Sequence, residues 1–217
     1  MNKFVSSFVK LTGYPAALTV FRTKYIYENR SVQSRRIKGA AIVASNHTSI
    51  YDFAAMMFAF PSRSLRCLVA EVVYEKNAFM RNFLRALGAV KVNRDVFDFS
   101  FVEKCKELLD RGCVVEIYPE ARLPLPGEVR PLPFKPSTAY IALSSGAPII
   151  PVYTDGNYFN KKRAHIVIGI PLDPLSVING DMSESEKIDA INQKLRQRIL
   201  ELKDELERYK KSRHTSG

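Results

Sequence analysis

Apolar residues along the chain follow two alternating patterns. Short continuous apolar runs are typical of buried strands, and stretches in which apolar residues recur every three or four positions are typical of helices. The predicted strands are 40–44, 65–70, 89–92, 114–118, 149–153 and 165–170, and the helices between them are 50–60, 78–87, 98–111 and one that ends near 145. This alternation indicates an α/β fold, with a largely parallel or mixed central sheet flanked by helices.

A further helix is predicted at the N-terminus, over residues 3–27, with a bend near Pro15. Lys10, Gly13 and Pro15 interrupt its apolar stretch, which is shorter than the ~20 continuous apolar residues of a spanning helix. Because the segment is also aromatic and cationic, we expect a helix that lies in a membrane interface.

The C-terminal segment predicts a long amphipathic helix. Ser183, followed three residues later by Glu186, is a capping-box pattern. Apolar residues then form one narrow stripe: Ile188, Ile191, Leu195, Ile199, Leu202, Leu206 and Tyr209. We favour packing of this stripe on the domain over pairing in a coiled coil. The chain thus divides into a helical membrane-surface element at 1–38, an α/β domain at 39–180, and a helix with a frayed tail at 181–217.

The charge of the chain indicates an anionic partner. The net charge is +11 over 217 residues, and residues 1–40 hold eight basic side chains against one acidic one. A basic N-terminal segment suits a membrane leaflet or a nucleic acid. We find no base-reading motif, so an anionic membrane surface is the expected partner. The three cysteines form no C-x-x-C pair, which argues against a zinc site or a disulfide framework and favours a reducing compartment.

Candidate catalytic residues follow the first predicted strand. His47 lies in the polar turn after that strand, and Asp52 comes five residues later. Five positions on a regular helix are about 140° apart, so the two side chains meet only if His47 precedes the helix and Asp52 lies in its first turn. Thr48 and Ser49 are suitable N-caps for that arrangement. Asp52 would then fix the imidazole tautomer and leave the other nitrogen to act as a general base; a capping cluster with an incidental histidine is the alternative.

Three other strand ends or loops carry basic side chains. Arg122 follows the strand at 114–118, with Glu120 placed to orient it or to bind a substrate hydroxyl. Arg94 follows the strand at 89–92, and Lys135 precedes the helix that ends near 145. Each of these charges, taken alone, is also compatible with a solvated surface position.

Together these segments resemble the glycerolipid acyltransferase family, which includes the lysophosphatidic acid (1-acylglycerol-3-phosphate) acyltransferases. The first family block is Asn-His-x-Ser-x-x-Asp, and it is matched in full by Asn46, His47, Ser49 and Asp52. The second, a glycine, a short strand and an arginine, is matched by Gly88 and Arg94.

The third and fourth blocks extend the resemblance to about residue 152. The third block of the family is Phe-Pro-Glu-Gly-Thr-Arg, whereas this chain has Tyr-Pro-Glu-Ala-Arg at 118–122, one residue fewer before the arginine. The fourth, an apolar strand that carries a proline, resembles residues 149–152.

The resemblance implies transfer of a fatty acyl group from acyl-CoA or acyl-carrier protein to the hydroxyl of a lysophospholipid acceptor. It implies that His47 and Asp52 are the catalytic pair, with no metal, no cofactor and no covalent acyl-enzyme. It associates Arg94 and Arg122 with the acceptor phosphate and seats the enzyme on a membrane through an N-terminal helical element; we expect a peripheral or monotopic protein on the cytoplasmic face. Asn46, Ser49, Glu120 and Lys135 complete the expected substrate-binding set. The alternatives are a same-fold acyltransferase with a different lysolipid or aminolipid acceptor, and a non-enzymatic basic membrane-binding module.

Overall fold

A computed structural model describes residues 3–93, 100–159 and 163–214. Within these ranges a seven-stranded sheet has the order β1-β7-β6-β2-β5-β3-β4. The strands are β1 (Lys24–Tyr27), β2 (Ala41–Ser45), β3 (Leu65–Ala70), β4 (Val90–Val92), β5 (Val114–Ile117), β6 (Ile149–Thr154) and β7 (His165–Ile168). The helices are α1 (Lys3–Val20), α2 (Asp52–Ala59), α3 (Glu71–Tyr74), α4 (Ala78–Leu87), α5 (Ser100–Asp110), α6 (Ser137–Ser145) and α7 (Glu184–His214), with a 3₁₀ turn at Pro174–Val177.

The sheet is parallel except where β6 and β7 pair antiparallel. All five residues of the central strand β2 are buried, because β5 and β6 flank it and helices cover both faces. One face packs under α1 and α2, and the other packs under α5, α6 and α7. The carboxyl ends of β2, β5 and β6 therefore meet at one edge, where ligand sites of such sheets form. The predicted α/β fold is confirmed.

The N-terminal prediction is wrong beyond residue 20. The helix α1 ends at Val20 and contains Pro15, and β1 begins at Lys24 and pairs in parallel with β7. The helix was predicted because the spacing of aromatic residues continues through residues 25 and 27. The Lys-Tyr-Ile-Tyr segment, however, has high strand propensity and pairs with β7 as the edge strand of the sheet. Arg22, with φ of 45°, makes the turn between them. The segment 1–38 thus contributes a strand to the sheet.

The C-terminal stripe packs on the domain, as favoured. Ile191, Leu195 and Ile199 are buried in the cluster that contains β5 and α6, while Leu202 and Leu206 pack against β7. The capping box is present, since the Ser183 backbone N–H donates to Glu186 Oε2 at 2.7 Å and the Glu186 N–H donates to Ser183 Oγ at 3.4 Å. The helix α7 is therefore part of the core.

If α7 is part of the core, Leu202→Ala should lower the free energy of unfolding by about 2–5 kcal/mol, because a buried leucine leaves a cavity. Urea denaturation followed by circular dichroism measures it. Arg208→Ala, at an exposed position of the same helix, is the matched control and should change stability by less than about 0.5 kcal/mol. Equal small effects from both variants would mean that α7 does not stabilise the domain.

Candidate active site

Asn46 fixes the start of the loop that follows β2. Its side-chain Nδ2 donates to the Thr154 carbonyl at 3.0 Å, and its Oδ1 accepts from the Thr154 backbone N–H at 2.8 Å. Because Thr154 ends β6, this pair of hydrogen bonds continues the sheet beyond the last ladder residue. Asn46 was predicted to bind substrate, but its buried amide instead holds the next residue, His47, at the sheet edge.

The side chains of His47 and Asp52 are in contact, in the arrangement that their five-residue spacing requires. His47 lies in the loop before α2, and Asp52 is the first residue of that helix. The imidazole Nδ1 is 2.8 Å from Asp52 Oδ2. The Asp52 side chain is 0% exposed and that of His47 is 17% exposed. With Nδ1 engaged by the carboxylate, Nε2 is the nitrogen left for a proton-transfer role.

Asp52 also accepts hydrogen bonds from three other groups of the loop. Its Oδ2 accepts from the Thr48 and Ser49 backbone N–H groups at 2.6 and 2.9 Å, and its Oδ1 accepts from Thr48 Oγ1 at 2.8 Å. The expected capping roles are thus wrong, because Tyr51 is the N-cap and makes no side-chain cap bond. Asp52 thus accepts hydrogen bonds from the loop that precedes its own helix, and a carboxylate in the first turn also suits the positive end of that helix.

Glu120 braces the same loop from β5. Its Oε1 accepts from the His47 backbone N–H, and its Oε2 accepts from the Leu132 backbone N–H, each at 2.8 Å. Burial raises the pKa of the Glu120 carboxyl above its usual value, and the two backbone hydrogen bonds only partly oppose this rise. Both oxygens of Glu120 are therefore committed to the backbone, and the role it holds here is to position His47.

Arg122 is exposed and paired with a different acid. Its guanidinium makes two parallel hydrogen bonds to the Glu128 carboxylate, at 2.7 and 2.6 Å. The pKa of Glu128 falls to about 2, mainly through this hydrogen bond, and that of Arg122 rises. The guanidinium fork of Arg122 is thus arranged for a bidentate anion, which Glu128 supplies.

The remaining predicted site residues differ in how they are placed. Ser49 Oγ accepts from the Tyr51 backbone N–H at 3.2 Å. Lys135 has an exposed side chain, and its backbone N–H donates to the Pro119 carbonyl at 2.8 Å. Arg94 lies outside the described residues. The sheet edge thus gathers Asn46, His47, Ser49, Asp52 and Glu120, whereas Arg122 and Lys135 lie on the loops around it.

Two residues that sequence reasoning missed lie directly behind His47. The Tyr118 ring stacks on the imidazole with centroids 4.3 Å apart and planes 19° apart. The Tyr118 hydroxyl donates to Oε1 of Glu116, a fully buried residue of β5. A glutamate inside the apolar run 114–117 was the available signal, since a charged residue is rarely fully buried without a purpose.

A glycine makes the close approach of the loop after β6 possible. Gly156 has φ of +65°, and a Cβ built there would lie 2.4 Å from Thr48 Oγ1. Two residues on, the buried Tyr158 hydroxyl is 3.0 Å from Thr154 Oγ1. Burial and the nearby Asp52 carboxylate both raise the pKa of Tyr158. The loop after β6 therefore packs against Thr48 and brings the Tyr158 hydroxyl close to Asp52.

These groups place a His–Asp pair at the carboxyl end of a buried strand. Asp52 accepts from Nδ1 and so orients the imidazole, and Nε2 can take a proton from a hydroxyl placed beside it.

Comparison with known proteins agrees with this geometry. The family model described as Acyltransferase matches residues 22–155. The human 1-acyl-sn-glycerol-3-phosphate acyltransferase beta is 28% identical over 161 residues, covering 67% of this chain and 54% of the human protein. The 1-acyl-sn-glycerol-3-phosphate acyltransferase of Bacillus subtilis (strain 168) is 23% identical over 171 residues, covering 76% of this chain and 82% of that protein. The chain thus spans about half the length of the human relative.

A solved structure shares the fold. The crystal structure of the 1-acyl-sn-glycerophosphate (LPA) acyltransferase PlsC from Thermotoga maritima superposes with a TM-score of 0.64 at 23% identity, covering 93% of this chain and 80% of that one. The family model covers more than half of the chain, and the resemblance predicted from the four motifs is confirmed: the chain belongs to the acyltransferase family.

Proposed function

We propose that this protein is an O-acyltransferase of phospholipid biosynthesis. It moves a fatty acyl group from the thioester of acyl-CoA or acyl-carrier protein to the hydroxyl of a 1-acylglycerol-3-phosphate-type lysophospholipid. The observation that carries the proposal is the His47–Asp52 pair, which is buried at its acid and open at its imidazole. The human and Bacillus subtilis relatives, both named as 1-acyl-sn-glycerol-3-phosphate acyltransferases, support the acceptor class.

In this mechanism His47 is the general base. Nε2 takes the proton of the acceptor hydroxyl as its oxygen attacks the thioester carbonyl. The tetrahedral intermediate then expels the thiolate, which receives the proton from the imidazolium, so an ester and a free thiol are formed. Asp52, at 2.8 Å from Nδ1, holds the tautomer before the attack and stabilises the imidazolium during it.

Arg122 is the proposed partner of the acceptor phosphate. A guanidinium fork that holds a carboxylate through two hydrogen bonds matches phosphate in the same way. Phosphate would displace Glu128 from the Arg122 guanidinium, which is 49% exposed; the Glu128 carboxylate is 31% exposed and also accepts from the Leu125 backbone N–H at 2.6 Å. Arg94, which the family resemblance associates with the acceptor phosphate, and Lys135 complete the proposed basic set.

The shape of the third motif favours a second acceptor class. Ala121 occupies the position of the family glycine and adopts φ of 59°, a conformation that costs a residue with Cβ about 1–2 kcal/mol. With one residue fewer before Arg122, the loop presents its guanidinium differently from the family motif. A different lysolipid or aminolipid acceptor is therefore the alternative, and an assay across acceptors with and without the phosphate decides between them.

The outer face of α1 supports the proposal that the protein lies on a membrane surface, as a peripheral or monotopic protein, and the proposed side is the cytoplasmic one. Phe4, Phe8, Leu11 and Leu18 lie on one side of α1, and each is more than half exposed. Ser6, Lys10 and Ala17 lie on the opposite side and face the domain. A helix that buries its polar contacts and exposes its apolar stripe has the polarity expected at a bilayer surface.

The charges of this segment are arranged differently from the expectation. Lys10 Nζ donates to the Pro61 carbonyl at 3.1 Å, and burial lowers its pKa to about 8. Lys24 lies over the Tyr209 ring. Two basic residues of the N-terminal segment, Lys10 and Lys24, therefore contact the protein, and the apolar stripe carries more of the proposed binding. No helix among the described residues has the length and hydropathy needed to cross a bilayer.

We predict that His47→Ala lowers kcat for acyl transfer by about 10²–10⁴-fold, since it removes the general base. Transfer of a labelled acyl chain from acyl-CoA or acyl-carrier protein to 1-acylglycerol-3-phosphate in vesicles measures this. His165→Ala, which removes the other described histidine paired with an aspartate, is the control and should retain activity. A folded His47→Ala protein with native turnover would contradict the mechanism.

Acceptor binding yields a paired prediction. Arg122→Ala should raise the acceptor KM about tenfold or more by removing a charge-assisted contact, with little change in the donor KM. Glu128→Gln should lower the acceptor KM, because it releases the guanidinium. If both substitutions change donor and acceptor KM equally, Arg122 has a structural role only.

Membrane binding depends on the apolar stripe in this account. Phe8→Ser with Leu11→Ser should weaken vesicle co-sedimentation at least about tenfold, because burying each side chain contributes about 1.5–3 kcal/mol. Leu175→Ser, on the exposed 3₁₀ turn, is the control. Added salt should reduce binding only modestly. Unchanged binding by the double variant would remove α1 from the anchoring role.

A further inference from the structure

A buried acid lies behind the active-site histidine, on the side away from solvent. Glu116 is 0% exposed and sits in β5 between Val43 of β2 and Cys67 of β3. Its Oε1 accepts from the Tyr118 hydroxyl, and its Oε2 has no hydrogen-bond partner in the described protein. A buried carboxyl with one oxygen unpaired destabilises a fold, so its presence in the central sheet calls for a functional reason.

The charge state of Glu116 follows from its surroundings. Burial raises its pKa to about 8; the Tyr118 hydrogen bond opposes that rise and the nearby Asp52 carboxylate adds to it. The Cys67 thiol also faces it, and its own pKa is raised by burial and by Glu116. Near neutral pH Glu116 is therefore uncharged, and Asp52 is not joined by a second buried negative charge.

Tyr118 connects this acid to the imidazole. The hydroxyl end of its ring is held by Glu116, and the ring itself stacks on His47 at 4.3 Å. Asp52 holds only one edge of the imidazole, through Nδ1. One hydrogen bond leaves the plane of a ring free to tilt about it, whereas a ring packed against one face removes that freedom.

We propose that Tyr118 is a positioning residue for His47, and that Glu116 anchors Tyr118 in place. Asp52 sets the tautomer and the edge of the imidazole, and Tyr118 sets its plane, so that Nε2 points to the acceptor hydroxyl. The inference deepens the proposed transferase function and rests on it. Neither residue touches the substrate in this account; both act through the imidazole.

The expected effects fall on kcat. A displacement of about 1 Å at a reacting group costs up to about 10²-fold in rate. Tyr118→Leu, which removes the stacked ring, should therefore lower kcat by about 10–10²-fold with both KM values nearly unchanged. Tyr118→Phe and Glu116→Leu each remove the anchor but keep the ring, and each should lower kcat about threefold to tenfold.

The hydrogen bond between Tyr118 and Glu116 also predicts how the variants combine. Because Tyr118→Phe and Glu116→Leu break the same hydrogen bond, combining them should cost no more than either one alone. Glu116→Gln accepts the same hydrogen bond without a charge and should restore native kcat. Tyr74→Leu, a buried tyrosine of α3, is the control for the general loss of a core ring.

The decisive experiment measures kcat, both KM values and the ¹⁵N chemical shifts of the His47 ring for this series in the full-length protein. Native His47 and His47 in Tyr118→Leu should both show the single tautomer that Asp52 sets, whereas the ring ¹⁵N resonances of Tyr118→Leu should be shifted and broadened by motion of the ring plane, together with its fall in kcat. Because Tyr118→Phe keeps the ring volume, it still tests the inference if Tyr118→Leu does not fold.

Native kcat and unchanged shifts in the folded Tyr118 variants would overturn the inference. So would additive losses, or inactivity of Glu116→Gln. The shifts report positioning even if the native protein transfers no acyl group, so failure of the proposed function is recognised separately.

Discussion

The buried carboxylate of Asp52 is the interaction on which the site depends. It accepts from the imidazole, from the Thr48 and Ser49 backbone N–H groups, and from the Thr48 hydroxyl. In a low-dielectric interior these charge-assisted bonds are strong, and the loop between β2 and α2 is folded around them. The same contacts that compensate for burying a charge also orient His47. The folded loop therefore fixes the orientation of the imidazole as well.

Three further contacts at this edge of the sheet hold that loop in place. Asn46 ties it to β6, Glu120 ties its backbone to β5 and to Leu132, and Gly156 allows the next loop to pack against Thr48. Two of these supports lie at the end of β6 and one follows β5, and the parallel pairing of both strands with β2 brings the three carboxyl ends together. This explains why residues far apart in the chain converge on one histidine.

The α/β class, most strand positions and the His47–Asp52 pairing could be predicted from the sequence, because buried parallel strands are apolar throughout and a five-residue spacing constrains the helix start. The strand at Lys24–Tyr27 could not, since its pairing with β7 depends on an edge formed 140 residues later. The roles of Asn46 and Glu120 were also beyond prediction. An asparagine and a glutamate are known from their chemistry to form hydrogen bonds. Only the fold shows that the partners of Asn46 and Glu120 are backbone groups. Likewise, the inward turn of Lys10 follows from three-dimensional packing alone.

The account predicts direct transfer between two bound substrates, with the imidazole as base and no acyl-enzyme. A rapid-quench single turnover with a labelled acyl donor and 1-acylglycerol-3-phosphate tests this most directly, because it follows the acyl group itself. The label should pass from the thioester to the acceptor lipid at the rate of thiol release, with none attached to the protein at any time. Label that appears on the protein before the lipid, or thiol release that proceeds equally fast without acceptor, would contradict the account.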